Sequence, residues 1–404
     1  MIEKGSNHQL LKQNNHNLIK KHIYRNSPIS RVEIAHQLGL TTATITGMVN
    51  PMINSGLLRE TAAVAEDTKV AGRPRMMLEF VPEAYYICGV DTGPYRTNYV
   101  LTDLRGDTVA VRHTDQPLGE YQPTLERFAR EIPEFVSEAG IPKEKLLGVG
   151  ICLPGMIDGS ADKIYDIFHE GWMEHNFSAE LGEALGLKVE VENNVRARAI
   201  SAEIFDRIVK AEPFAYFFVS YGIACQMIID GKVLYGQYAA AGEIGHTVVQ
   251  RNGPVCPTCG NRGCLEALTG ERAILQQCRN IMATDTPTVL RDLCRDPGKL
   301  TMDQILEAQE LGDQAVSHVI EDAIEYLGIA LANTINLISP RAVVLEGRIL
   351  STAKNQTRMI QTVEQYMFHI HSGTIDFTFL PYDPDRGARA AAAVVVMDFL
   401  RRQA

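Results

Sequence analysis

The segment 242–266, GEIGHTVVQRNGPVCPTCGNRGCLE, places His246, Cys256, Cys259 and Cys264 within one short span, flanked by Glu243 and Glu266. Two cysteines separated by two residues can aim their sulfurs at one ion. A third across a glycine-containing turn and a histidine from upstream complete a Cys3His set of the kind tetrahedral zinc prefers. Pro257, Gly260 and Gly263 supply tight turns where the thiolates must converge. With all four tetrahedral positions filled by protein, the expected metal is structural, and it would hold Glu243 and Glu266 in place. A redox C-x-x-C is the competing reading. Cys88, Cys152, Cys225, Cys278 and Cys294 show no ligand spacing and read as ordinary buried thiols.

A second constellation lies at predicted strand ends. Pro154-Gly155-Met156-Ile157-Asp158-Gly159 turns after an apolar strand, and Glu192-Asn193-Asn194 sits between a predicted strand and a predicted helix. Carboxylates and amides converging there suit the paired hydroxyls of a sugar. A plain helix cap explains Asn193-Asn194 equally well.

These residues need a scaffold, and 404 residues with 45% apolar content exceed one usual domain and can bury sizeable cores. No apolar run reaches membrane-spanning length, and the first residues lack a signal-peptide core, so a cytoplasmic protein is expected. Charge is uneven. Residues 1–59 carry seven Lys/Arg against Glu3 and Glu33, a net of +5, which leaves −15 for the rest of a chain totalling −10. A basic head on an acidic body is expected where one small module meets a polyanion.

Within that head, Ser30 and Glu33 form a capping-box pattern that predicts a helix over 31–38, stopped by Gly39. A third helix is expected from Thr41 or Thr42 to Asn50. Helix, glycine turn and helix match helix-turn-helix spacing. Ile45 and Val49 would face the core, leaving Thr41, Thr42, Thr44, Thr46 and Asn50 to enter a major groove; a solvated face is the bland alternative. Lys20, Lys21, Arg25 and Arg31 are candidate phosphate contacts. The Gly72-Arg73-Pro74 turn suggests a two-stranded wing carrying Lys69, Arg73 and Arg75.

From residue 85 onward the pattern changes to three short strands, a helix and a strand, and a similar triple-strand beginning recurs near 215. The expected organisation is a DNA-binding head at 1–82, a first α/β half at 83–200, and a second at 201–404. The second half contains the metal loop 242–266 and a C-terminal helix returning to the first. Two such halves imply an interdomain cleft for a small ligand.

The chain resembles the ROK family (repressors, open reading frames and sugar kinases), specifically its repressor branch. The marks are E-x-G-H at Glu243 and His246, C-x-x-C-G-x-x-G-C-L-E from Cys256 to Glu266, Pro154-Gly155, and Gly72-Arg73-Pro74. The resemblance implies a winged helix-turn-helix followed by a duplicated actin-like, ribonuclease-H-like ATPase fold with a structural zinc loop. It also implies sugar contacts from Asn193, Glu243, His246 and Glu266, with His246 serving metal and sugar through different nitrogens. Gly155 and Asn194 complete the candidate sugar set.

Kinase signatures are where the sequence departs from that family. The residue matching the catalytic aspartate is Asn194, whose amide cannot take a proton from a sugar hydroxyl. The first phosphate motif has become Asp91-Thr92-Gly93-Pro94-Tyr95. The second has shrunk to Ser220-Tyr221-Gly222-Ile223-Ala224-Cys225-Gln226 and lost most of its glycines. Glu346-Gly347-Arg348 replaces a triple glycine, and Glu346 is expected to repel a nucleotide. No ATP binding and no enzymatic activity are therefore expected. The implied function is a sequence-specific repressor of sugar-metabolism genes, a homodimer or homotetramer on an inverted-repeat operator in double-stranded DNA. A sugar or sugar phosphate would be its effector. The alternative is an ATP-dependent sugar kinase with an appended DNA-binding domain.

Overall fold

The computed structural model describes residues 8–62, 76–159, 161–166, 171–208, 213–369 and 373–401. They fall into two compact units, one formed by residues 1–207 and 385–404 and the other by 208–384. No described helix is long and apolar enough to cross a membrane.

The first unit begins with α1 (His8–Asn26), β1 (Ile29–Ser30), α2 (Arg31–Leu38), α3 (Thr42–Asn54), β2 (Leu58–Ala62) and β3 (Met76–Phe80). The Ser30 hydroxyl and the Glu33 carboxylate form a reciprocal capping box at the start of α2, and Gly39 in the left-handed region ends it. Ile34 and Ala35 of α2 and Ile45, Val49 and Met52 of α3 are buried, the apolar faces of the two helices. The expected end of α3 at Asn50 is too early. Pro51 lies inside a helix that runs to Asn54. A proline there forfeits one backbone bond, to the carbonyl four residues back, while Met52 buried just after it keeps the last turn on the core. The three strands pair antiparallel in the order β1-β3-β2.

The body of this unit contains β4 (Tyr86–Thr92), β5 (Thr97–Asp103), β6 (Thr108–Thr114), α4 (Tyr121–Glu138), β7 (Leu146–Leu153), β8 (Met156–Asp158), β9 (Lys163–Asp166), α5 (Phe177–Leu185), β10 (Val189–Asn193) and α6 (Asn194–Ile204). Its sheet runs β10-β7-β4-β5-β6, with β10, β7, β4 and β6 running in one direction and β5 against them.

The second unit contains β11 (Phe214–Val219), β12 (Ile223–Ile229), β13 (Lys232–Val233), α7 (Leu265–Thr269), α8 (Glu271–Met282), α9 (Leu290–Leu293), α10 (Met302–Glu310), α11 (Gln314–Ile338), β14 (Ala342–Gly347), α12 (Ala353–Tyr366) and β15 (Asp376–Leu380). Its sheet runs β13-β12-β11-β14-β15, again with four strands in one direction and one, β12, against them. The core lies between this sheet and the helices. In it α12 approaches α11 so closely that a Cβ at Gly328 would lie 2.5 Å from the Thr362 methyl.

The chain then returns to the first unit as α13 (Arg386–Arg401). Small residues explain that docking. A Cβ at Gly89 of β4 would stand 1.9 Å from the Ala388 carbonyl oxygen, and one at Gly150 of β7 would stand 2.0 Å from that of Ala391. Only glycine lets the alanine-lined helix approach the sheet this closely.

The expected boundary at 82/83 does not separate compact units. The Tyr24 hydroxyl donates to the Leu104 carbonyl at 2.6 Å, Arg207 donates to the Tyr24 carbonyl at 2.8 Å, and Arg25 pairs with Glu203. The head is thereby fastened onto the body of the first unit. The second unit begins at Ile208, not at residue 201, because α6 and the turn after it belong to the first.

Candidate functional site

Backbone turns bring the four proposed metal ligands together. The amide of Cys256 donates to the Asn261 carbonyl at 2.7 Å, and that of Gly260 donates to Cys256 at 3.0 Å, folding the knuckle. Gly263 has φ of 76°, and a Cβ there would lie 1.6 Å from the Gln250 carbonyl oxygen, so the turn requires glycine. Leu265 donates to Thr247 at 2.9 Å, which seats the start of α7 against the 3-10 turn that ends at His246.

The ligand atoms of His246, Cys256, Cys259 and Cys264 all lie within 4.8 Å of one another. Cys256 Sγ is 3.7 Å from His246 Nδ1, and Cys259 Sγ is 3.5 Å from Cys264 Sγ. A tetrahedral ion with bonds of ~2.3 Å to sulfur and ~2.0 Å to nitrogen sets its ligand atoms roughly 3.5–3.8 Å apart. The cluster therefore fits a metal ion. Cys264, outside the C-x-x-C, stands as part of the same cluster, which a two-cysteine redox pair would not need. The thiols also differ: the Asn261 backbone amide lowers the pKa of Cys259, whereas burial pushes Cys264 up to about 12. A cation among them stabilises all three as thiolates.

Glu266, in the first turn of α7, accepts from the Thr258 hydroxyl at 2.7 Å, tying the helix to the knuckle. Its other carboxylate oxygen would be 3.7 Å from a Cβ at Gly222, so a carboxylate faces the turn that carries the shrunken second phosphate motif. Glu243 and His246 lie on a single 3-10 turn or at its start, where the His246 amide donates to the Glu243 carbonyl at 3.1 Å. Because His246 Nδ1 faces Cys256, its Nε2 is the nitrogen left for another partner. Glu346 corrects an expectation. It is buried on β14 and accepts from the Tyr216 hydroxyl, so its charge is spent inside the sheet and is not presented to a nucleotide.

In the first unit, Asn193 is the cap of α6. Its Oδ1 accepts from the amides of Val195 at 2.9 Å and Arg196 at 3.1 Å, while its Nδ2 donates to the Gly155 carbonyl at 2.9 Å. The capping role weighed for this residue is thus present, and one amide hydrogen remains for a ligand. Gly155 needs its glycine, with φ of 106°. Asn194 is half-buried at the start of α6.

Strand register sets Asp91, Cys152 and Glu192 side by side at one edge of the sheet. Sequence reasoning missed what surrounds them. Arg198 lies 3.5 Å from Asp91, and burial raises the Asp91 pKa while Arg198 and Arg96 pull it back. A Cβ at Gly387 would lie 1.8 Å from the Asp91 carboxylate, so α13 presses on the residue of the first phosphate motif. Arg196, fully buried, donates to the Ile157 carbonyl and lies 3.3 Å from Glu192. The four-residue spacing of Glu192 and Arg196 was visible; the distant partners were not.

In the head, Thr41 caps α3 by accepting from the Thr44 amide at 3.2 Å, and Thr42 and Asn50 are exposed while Thr44 and Thr46 are half-buried. Lys20 is a correction: it is fully buried, 4.3 Å over the Phe399 ring, and burial lowers its pKa to about 8, so it cannot reach a phosphate. Arg31 is bound to Glu60 and to Asn50, and Arg25 to Glu203, which commits both guanidinium groups within the unit. Lys21 is half-buried. Lys69, Arg73 and Arg75 lie outside the described residues.

The ROK family's sequence pattern matches residues 87–397. Among its relatives, the xylose repressor of Bacillus subtilis (strain 168) is 29% identical over 85% of this chain and 84% of its own length. The DNA-binding transcriptional dual regulator NagC of Escherichia coli (strain K12) is 28% identical over 86% and 84%. The crystal structure of a ROK family transcriptional regulator, a homolog of the E. coli MLC protein, shares the fold with a TM-score of 0.82, at 24% identity over 97% of this chain and 98% of that one. A ROK family glucokinase from Streptomyces griseus, solved with glucose and AMPPNP, has a TM-score of 0.63 at 21% identity, over 76% of this chain and 98% of its own. The chain belongs to the ROK family and has the α/β fold that family's sugar kinases share.

Proposed function

We propose that this ROK-family chain is a transcriptional repressor of sugar-metabolism genes and not a sugar kinase. Its head is a winged helix-turn-helix reading an inverted repeat in double-stranded DNA as a homodimer or homotetramer, and its effector is a sugar or sugar phosphate. The observation that carries this reading is α3. It follows α2 through the Gly39 turn, buries Ile45, Val49 and Met52, and turns Thr42 and Asn50 outward without a charged side chain. Short hydroxyls and an amide suit close approach to base edges. The relatives named as regulators, matched over most of both chains, support the same reading.

The body is a duplicated actin-like, ribonuclease-H-like ATPase fold, a reading supported by the same strand order and orientation in both sheets. The candidate effector contacts are those the family resemblance implies, Gly155, Asn193, Asn194, Glu243, His246 and Glu266. Zinc is the metal that suits three thiolates and an imidazole. His246, Cys256, Cys259 and Cys264 would hold it, and it would supply charge neutralisation and a rigid mount for Glu243, His246 and Glu266.

Against a kinase stand Asn194 in the place of the base and Asp91 shielded by Arg198 and by α13. The reading is tested by selecting bound duplexes from a random pool, with and without a panel of sugars and sugar phosphates. A recovered inverted repeat whose binding changes with one of them supports it. Turnover of a hexose with ATP, or no sequence enrichment, sinks it.

A further inference from the structure

One helix of the first unit has a candidate effector contact at its beginning and the head at its end. At the start of α6, Asn193 caps the helix and donates to Gly155, and Arg196 anchors the first turn to the Ile157 carbonyl. At its far end Glu203 pairs with Arg25 of α1, and Arg207, just past the helix, donates to the Tyr24 carbonyl at 2.8 Å. Between them, the Phe205 ring lies against Gly106, where a Cβ would come within 2.4 Å, and Asp206 is held by Arg389 at 2.5 Å. The helix is 11 residues long, a rod of ~16 Å whose two ends cannot move independently while its backbone bonds hold.

We infer that α6 is the strut through which the state of the Asn193–Gly155 contact reaches the DNA-reading head, with Glu203 and Arg207 as the positioning residues that pass it to α1. The inference rests on the proposed function for its purpose, since there Asn193 meets the effector. Its physical content is a coupling inside one unit. α1 has a second attachment, to α13, where Lys20 lies over Phe399 and Asn17 donates to the Arg401 carbonyl. The Tyr24 hydroxyl on the Leu104 carbonyl is a third, so the strut is a claim about which of these routes carries the motion.

The test needs neither sugar nor DNA. Amide hydrogen exchange of the full chain is followed by mass spectrometry in the wild type, in Asn193→Ala, in Glu203→Gln/Arg207→Gln, and in the triple variant. Loss of the cap should speed exchange in the first turn of α6 and also in residues 20–26 of α1, each by about 5-fold, the factor a lost N-cap is worth. In the Glu203→Gln/Arg207→Gln background the same change should leave α1 untouched. Acceleration confined to α6 overturns the strut. Acceleration of α1 that survives in the triple variant overturns it too, by assigning the route to α13 or to Leu104. Should Asn193→Ala not fold, Asn193→Asp keeps an oxygen for the cap and loses the donor to Gly155, and exchange in residues 20–26 of α1 is then read alone, with and without Glu203→Gln/Arg207→Gln. Failure here leaves the operator selection standing, and failure of that selection leaves this coupling measurable.

Discussion

The two sheets of this protein have the same strand order and orientations and are fastened in different ways. In the second unit, the chain between β13 and α7 gathers four side chains that could hold a metal ion, with ligand atoms within 4.8 Å of one another. In the first unit, charged pairs brace the strand ends and both ends of α6: Arg196 on Glu192 and Ile157, Arg198 on Asp91, and Arg386 and Arg389 on Asp206. A shared topology does not dictate what braces its loops. One brace answers to metal supply and the other to protonation and packing, so the units should respond to different insults.

Metal removal should separate them most. Chelation, or Cys264→Ser, is expected to cost the segment 242–266 several kcal/mol of local stability, seen as rapid exchange and protease cleavage there while residues 86–204 keep their protection. Equal loosening of both units would erase the contrast.

Next in size, Arg196→Met should destabilise the first unit by ~3–5 kcal/mol, because it strips a fully buried carboxylate of its partner. Denaturant unfolding followed by exchange should show the loss there and not at the metal loop. The charged bracing would be incidental if the variant were as stable as the wild type.

Lys20 sharpens the pH side of the comparison. Its folded pKa of about 8 lies below the ordinary lysine value of 10.5, so the unfolded chain binds more protons between those limits. Stability of the first unit should therefore rise as pH climbs from 8 towards 10.5, and below 8 the burial cost is fully present. Lys20→Met should remove that rise and stabilise the protein at pH 7 by ~1–3 kcal/mol. A thermal midpoint that is equally pH-dependent in both forms contradicts this.

The smallest expected effect is in the head. Ser30→Ala removes the hydroxyl that caps α2, at a cost of ~1 kcal/mol, and should speed exchange in α2 without touching either brace.

What was legible in the sequence follows from how local each signal is. The limits of α2 could be read because the capping box and Gly39 lie within the helix and its flanks. The clustering of His246, Cys256, Cys259 and Cys264 could be read because three of the four fall within one knuckle. The end of α3 was misread because a local rule about proline lost to the burial of Met52. The helix α12 went unseen because its sequence, AKNQTRMIQTVEQY, buries only four residues. Lys20 was mistaken for a phosphate contact because charge predicts exposure, and its burial against Phe399 is decided by a helix far along the chain. Asp91 with Arg198, and Arg25 with Glu203, share that cause: nothing local in the sequence announces a partner more than a hundred residues away.

The central claim is that α3 reads DNA, and the most direct measurement compares affinities for a duplex recovered by selection and for the same duplex scrambled. The selected sequence should bind ~10³-fold more tightly or better at physiological salt. Thr42→Ala with Thr46→Val should abolish most of that preference while leaving the salt dependence of binding unchanged. Equal affinity for the two duplexes, or a preference untouched by the threonine changes, would contradict the claim.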